Sequence, residues 1–496
     1  MRLPGVFMTH SPKTDTLILT GAGILFALLT LLVGFYHEPW ADEAQAWLIA
    51  REGGFWDILA TYARQEGQPP LWHILLRSLI LLGFPYRCFF LIPWVFGVAG
   101  VAVFLKKAPF PVWFRVCIPF TYFIFFQYTI VARQYCTALL FLSLLAALYP
   151  QRLTHPIRYG VVLGLFAFSS TPGALIAGSL YFLFLCDLLS GRERRRTAYG
   201  IAAALFACFA ALAWVVFPDL TNPFIDGKYD HISPFEKLLS DMPRIVALPF
   251  FSSDDDVLSV GNIFWYVGTV LFVLLWFRDD RKKLLPIAIL FGPLLLFFAM
   301  VHFAVWHLGY VFLLLLFCLW IFYQQKRFAS FKRNPFLWIW AALFVVQIGW
   351  SGFLAVFDIR KPYAQGQQMA DYIRPYLSHK PVIIGTSFWS CVMAPYFPDK
   401  LFANYDHHFW SFIAQTKQYD LPSFSESDKS PDIILYHPYH TDCFGAKDEE
   451  EFIESLDKTQ YVTKTFSSYV AKKNGDEYIP TIIYIKKSLI SAKENK

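Results

Sequence analysis

The chain has 496 residues, of which 56% are apolar and only 16% charged, against roughly 45–50% and about 25% in soluble domains. With a mean hydropathy of +0.42 and 52 Phe, 26 Tyr and 16 Trp, most of it must be solvated by lipid, which excludes a soluble cytosolic enzyme, a disordered chain and a disulfide-rich secreted scaffold. The net charge of +6 sits in small Lys/Arg clusters between apolar runs, a pattern that orients membrane helices and argues against a nucleic-acid partner.

The first apolar run, residues 17–36, is long enough to span and is followed by no small-residue cleavage site, so it reads as an uncleaved helix. Runs of spanning character follow at residues 89–105, 112–128, 131–149, 200–217, 260–277, 284–301, 307–323 and 336–357, with two shorter ones, 159–170 and 173–189, flanking Thr171-Pro172-Gly173. Lys/Arg clusters at 106–107, 152–158, 192–196, 278–283 and 326–333 mark the cytoplasmic side. Any two of them must be separated by an even number of crossings, so the stretch between 158 and 192 crosses twice and turns at Pro172-Gly173. With Arg2 and Lys13 inside, the first span exits at His37 and only one further crossing fits before Lys106. Residues 70–84, carrying Trp72, His73 and Arg77, therefore lie along the outer interface. The expected architecture is a polytopic α-helical membrane protein of about eleven transmembrane helices, with interfacial helices in its first outer loop, a cytoplasmic N-terminus and an external C-terminus.

Residues 358–496 change composition sharply and are long enough for a small α/β domain outside the membrane. Residues 381–385 and 432–436 read as buried strands, 449–456 as a helix, and 461–468 with 478–486 as a closing pair of strands. Cys391 and Cys443 are a candidate disulfide there. The other six cysteines lie in or beside apolar runs as small hydrophobes, and no zinc or redox spacing occurs.

The first outer loop carries the densest chemistry. In His37-Glu-Pro-Trp-Ala-Asp-Glu-Ala-Gln-Ala-Trp-Leu-Ile-Ala-Arg51, Pro39 ends one helix while Asp42 and Glu43 begin another, whose Ala44, Trp47, Leu48 and Arg51 share one face. Acids in a first helical turn also complement the helix dipole, for a few tenths of a kcal/mol. That role does not account for the third acid, Glu66, before the rigid Gly67-Gln68-Pro69-Pro70 turn. Neighbouring helical residues point about 100° apart, so Asp42 and Glu43 cannot serve one atom together: one is expected to do chemistry or bind metal while the other holds the loop.

At these residues the chain resembles a known family. The Asp42-Glu43 pair just past the first span, Gln68-Pro69-Pro70-Leu71-Trp72 opening an interfacial helix, Ala132-Arg133-Gln134-Tyr135 at the second outer turn and the eleven-span layout are similar to the GT-C superfamily of membrane glycosyltransferases. Its relatives include protein O-mannosyltransferases and lipid A aminoarabinose transferases. The resemblance implies a GT-C-like catalytic membrane domain over residues 1–357, an extracytoplasmic α/β domain over 358–496, and a place in the inner membrane of a bacterium. It implies an inverting transferase that moves a sugar from a polyprenyl-phosphate donor to a lipid, glycan or protein acceptor at the outer face. Such a site needs a base for the acceptor hydroxyl and positive charge for the departing phosphate.

Asp42 is then the expected base, with Glu43 next in line and Glu66 third. Arg133 and Arg87 are the expected phosphate ligands, because a guanidinium grips phosphate oxygens in bidentate fashion. Gln134, Tyr135, His73, His302 and His307 complete the candidate substrate-binding set. A divalent metal, Mg or Mn, would take Asp42 as its ligand. Many relatives place a second acid in the second outer loop, where this chain has Gln127, Tyr128, Arg133 and Gln134, so that ligand set is incomplete. Arg51 and Arg64 are weaker phosphate candidates that read rather as a solvated helix face, and His407, His408, His437, His440 and the Asp254–Asp256 run read as loop polarity. The competing classes are a transporter or flippase, which expects repeated halves and ionisable residues at mid-membrane, and a receptor or assembly protein, for which the Asp42 loop would be dispensable.

Overall fold

The computed structural model describes residues 11–191, 196–217, 284–300, 305–324, 336–386, 388–404, 430–438, 452–470 and 477–494. The expected span 260–277, the outer piece 218–259 with Asp254–Asp256, and the basic clusters at 192–195, 278–283 and 326–333 lie outside these residues, as do His302, His407, His408, His440 and Cys443.

Helix α1 (Pro12–Tyr36) leads into α2 (Ala41–Glu52), α3 (Leu71–Leu81), α4 (Leu91–Lys107) and the short α5 (Val112–Cys117). Then come α6 (Cys136–Leu148), α7 (Pro156–Ala167), α8 (Thr171–Ser190), α9 (Arg196–Val216), α10 (Leu284–Met300), α11 (Leu308–Gln324) and α12 (Phe336–Arg360). Among the described residues, four stretches are helical, long and apolar enough to cross a membrane: Pro12–Tyr36, Tyr86–Lys107, Thr171–Ser190 and Arg196–Val216. Their outward faces support a lipid solvent. On α1, Leu17, Leu28 and Phe35 are exposed, and on α9 so are Phe206 and Trp214, a contiguous apolar exposure that water would penalise.

Helix α3 is 11 residues long, about 16 Å at 1.5 Å per residue, against a hydrocarbon core of about 30 Å. It buries Trp72, His73 and Leu76 and leaves Leu81 exposed. The turn before it is docked rather than free: Thr171 donates its backbone N–H to Gln68 Oε1 at 3.2 Å, and Leu71 donates to the Phe168 carbonyl at 3.2 Å. The Gln-Pro-Pro turn is thus anchored on the Phe168–Ser170 break between α7 and α8 and on Thr171 at the start of α8, where Ser170 Oγ caps the helix through the Gly173 N–H.

Residues 112–128 and 131–149, expected as two continuous spans, are not so. Helix α5 ends at Cys117, a 3₁₀ turn covers Ile118–Phe120, a π turn covers Phe123–Gln127, and α6 begins only at Cys136. Pro119 removes a backbone donor from the ladder, and Thr121 and Thr129 bond back to the carbonyls of Ile118 and Ile124 at 2.8 and 2.6 Å. Irregular backbone of this kind is tolerated only where protein covers it, and Ile130, Val131, Ala132 and Tyr135 are all buried.

The tail forms a four-stranded sheet in the order β1 (Ile383–Gly385), β2 (Ile433–Tyr436), β4 (Glu477–Lys486), β3 (Tyr461–Val470). β1 and β2 are parallel, while β4 runs antiparallel to both β2 and β3. These are the four strands expected there, and residues 452–455 are helical. Cys391 is a free, buried thiol whose Sγ donates to the Ala41 carbonyl at 3.3 Å.

One close approach gives a test of the packing between α11 and the irregular stretch. A Cβ on Gly309 would collide with the Tyr128 ring and hydroxyl, whereas Gly178 in α8 has open space around it. Gly309→Ala should destabilise the protein by about 1–3 kcal/mol through overpacking. Gly178→Ala should be neutral or slightly stabilising. Thermal melts of both variants in nanodiscs check this; equal melting temperatures would contradict the packing.

Candidate functional site

The end of α1 and the start of α2 are fixed by Glu43. Its Oε2 accepts the Trp40 backbone N–H at 3.0 Å, reaching back as an acid at the third helical position does in a capping box. Its Oε1 accepts the Ala132 N–H at 2.5 Å, so the same carboxylate ties α2 to the irregular stretch before α6. His37 Nε2 lies 3.2 Å from Glu43 Oε2 and His37 Nδ1 lies 2.8 Å from Asp358 Oδ2, near the end of α12. All three side chains are essentially sealed from solvent. At the other end of α2, Arg77 donates to the carbonyls of Ala50 and Gly53, complementing the helix dipole.

Asp42, one residue earlier, is differently placed. Its side chain keeps 26% of its surface and that of Arg133 20%, against 0% for Glu43. The Arg133 guanidinium lies 3.5 Å from Asp42 Oδ2 and donates to the Asp42 backbone carbonyl at 2.8 Å. Burial pushes the Asp42 carboxyl above the usual range, Arg133 pulls it down, and Glu43 and Glu66 push it up. The two adjacent acids thus differ in surroundings: one is committed to backbone N–H groups and an imidazole, and the other meets a guanidinium at an open edge.

Glu66 and His73 adjoin this pair. Gln45 Nε2 donates to Glu66 Oε1 at 2.8 Å, and His73 Nε2 stands 3.4 Å from Glu66 Oε2. His73 is 3% exposed, and neither ring nitrogen has a hydrogen bond among the described residues. Burial lowers its proton affinity against the pull of Glu66, with Arg133 adding to the lowering, which favours the neutral ring.

The remaining expected residues are dispersed around this centre. Tyr135 lies under Arg133, with the guanidinium 5.9 Å from its ring centroid, and its hydroxyl meets His307 Nε2 at 3.1 Å. Gln134 is buried, its carbonyl accepting from Thr137 Oγ1 at 2.9 Å. Arg87 is exposed, and its charge acts on Glu38 and Tyr396. Arg51 and Arg64 are not a solvated face: Arg51 donates to the Phe397 carbonyl at 2.8 Å and Arg64 to the Trp214 carbonyl at 3.0 Å.

The expectation of an interfacial α2 with one apolar face also needs correction, because Ala41 and every residue from Glu43 to Ala50 are buried. Helix α3 covers one side of α2 and the tail another. Residues 388–396 pack on α2, Trp389 lies 5.7 Å from Trp40, and Glu38 Oε1 accepts the Gln367 N–H at 2.5 Å. Burial pushes the Glu38 carboxyl up to about 7. His37, Glu38 and Asp358 were not singled out from sequence. The available signal was that His37 and Asp358 each follow an apolar run by one residue and that crossing parity places both on one side.

Asp42 faces a guanidinium rather than a second free carboxylate, and Glu66 is held by Gln45. Among the described residues, no group of three His, Cys, Asp or Glu side chains is placed to hold a metal ion.

The buried bridge predicts a pH dependence. Burial disfavours the charged imidazole, but Asp358 and Glu43 outweigh it and raise the His37 pKa to about 10. A raised histidine gives stability that is complete below its unfolded pKa near 6.5 and is lost as pH rises toward about 10. Asp358, raised by burial against His37, acts with the same sign. The wild-type melting temperature in nanodiscs should fall across this window. His37→Gln should cost about 3–5 kcal/mol by stranding two buried carboxylates and flatten the slope. An unchanged profile would contradict the bridge.

Compared with protein-family models, characterised proteins and solved structures, the chain matches none.

Proposed function

We propose that the chain is a GT-C-type inverting glycosyltransferase of about eleven spans that uses a polyprenyl-phosphate sugar at the outer face of a bacterial plasma membrane. The observation that carries this reading is the asymmetry of adjacent acids: Glu43 is sealed into the scaffold, whereas Asp42 is partly open and 3.5 Å from the Arg133 guanidinium. An accessible carboxylate beside a cation is what single displacement at an anomeric carbon requires. The acceptor hydroxyl gives its proton to Asp42 as its oxygen bonds the anomeric carbon. The bond from that carbon to the phosphate oxygen breaks, and the electron pair leaves on the phosphate, whose charge Arg133 stabilises.

A transporter reading draws on one observation, the unwound, buried stretch before α6 that ends beside Arg133, since broken helices line transporter sites. It differs in outcome: the substrate crosses the membrane unchanged.

Transfer from a radiolabelled polyprenyl-phosphate sugar in proteoliposomes tests the proposal. Asp42→Asn should lose roughly 10²- to 10⁴-fold in rate while its melting temperature stays close to wild type, because a part-exposed ion pair is worth about 0–1 kcal/mol. Glu43→Gln should lower both rate and melting temperature. The acid limb of the wild-type rate profile should lie above the ordinary aspartate pKa of about 3.9, because burial raises Asp42. Wild-type transfer by Asp42→Asn would remove it as the base, and no transfer by the wild type from any lipid-linked donor would favour a transporter or receptor.

A further inference from the structure

Glu66, His73 and Gln45 form a second polar group beside Asp42, and three observations say what it would hold. Gln45 fixes one Glu66 oxygen at 2.8 Å and leaves the other facing His73 Nε2 at 3.4 Å. That separation is longer than a hydrogen bond, yet one hydroxyl oxygen about 2.8 Å from each atom would bridge it, donating to Glu66 and accepting from the ring. His73 itself is 3% exposed with both ring nitrogens unbonded, and leaving a buried donor or acceptor unpaired costs about 1–3 kcal/mol. A site built this way has a standing demand for a polar ligand.

The local charge selects among ligands. Asp42 and Glu66 are two carboxylates against one guanidinium, Arg133, which pairs with Asp42. A phosphate would be repelled by Glu66, and the neutral ring offers it little. Groups that donate O–H to carboxylate oxygens and accept from an imidazole N–H are favoured, as in sugars and other polyols. We propose that Glu66, His73 and Gln45 form a hydroxyl-binding subsite for a neutral carbohydrate acceptor, adjacent to the Asp42–Arg133 pair. This deepens the glycosyltransferase reading and rests on it for the word acceptor, but the binding claim stands without it.

The experiment measures saturation-transfer NMR binding of a panel of methyl hexopyranosides to the full-length protein in nanodiscs, alongside transfer from lipid-linked donors. The wild type should bind at least one glycoside saturably. Glu66→Gln and His73→Phe should each weaken it at least tenfold, and Gln45→Leu, which frees the Glu66 carboxylate while leaving His73 in place, severalfold. Melting temperatures identify any variant that fails to fold, and the remaining two then decide. Absence of binding by the wild type to every glycoside, or binding unaffected by folded variants, overturns the subsite. Glycoside binding lost in the variants with no transfer by the wild type would uphold the subsite and sink the glycosyltransferase reading. Transfer with an acceptor KM unchanged in Glu66→Gln and His73→Phe would do the reverse.

Discussion

The architecture around α2 depends on one buried interaction, the carboxylate–imidazole–carboxylate bridge Glu43–His37–Asp358. Each member sits at the end of a different element: α12, the exit of α1 and the start of α2. Charges taken out of water are tolerated only when paired and hydrogen-bonded. Here two carboxylates hold the imidazole charged, and Glu43 spends its remaining capacity on the N–H groups of Trp40 and Ala132. Misplacing any of the three elements would strand a buried charge, so the bridge sets the position of the helix that presents Asp42.

The tail completes this enclosure. Its Cys391 thiol and the Gln367 N–H meet Ala41 and Glu38, while its Phe397 carbonyl receives Arg51. Trp40 is ringed by Trp306, Tyr363 and Trp389, with centroids 5.8, 6.4 and 5.7 Å away. Covered in this way, α2 offers reactants little but the edge where Asp42 and Arg133 remain part-exposed. The low dielectric around that edge strengthens the charge interactions on which any displacement of a phosphate would rely.

Much of this was legible in the chain. Apolar length and the tail's strand patterns located α1, α8, α9 and the four strands, and the Pro-Pro and Thr-Pro-Gly turns marked two helix breaks. Helix geometry alone pointed Asp42 and Glu43 in different directions. What the pattern concealed was long-range. The apolar face of α2 read as a membrane-surface stripe because part of what buries its other faces lies some 350 positions later. The stretch from Pro119 to Tyr135 read as spans because its apolar content masks the proline and the threonines that bond back to its own carbonyls. Asp358 read as the first residue of a soluble tail, since nothing local reveals a partner at His37.

The most direct measurement is a cryo-EM structure of the full chain in nanodiscs with a polyprenyl-phosphate sugar bound. The account predicts phosphate density at the Arg133 guanidinium and the sugar's anomeric carbon turned toward Asp42, with Glu43 still closed on His37. Density for the lipid phosphate away from Arg133, or a Glu43 carboxylate released from His37 and facing the sugar while Asp42 turns away, would contradict it.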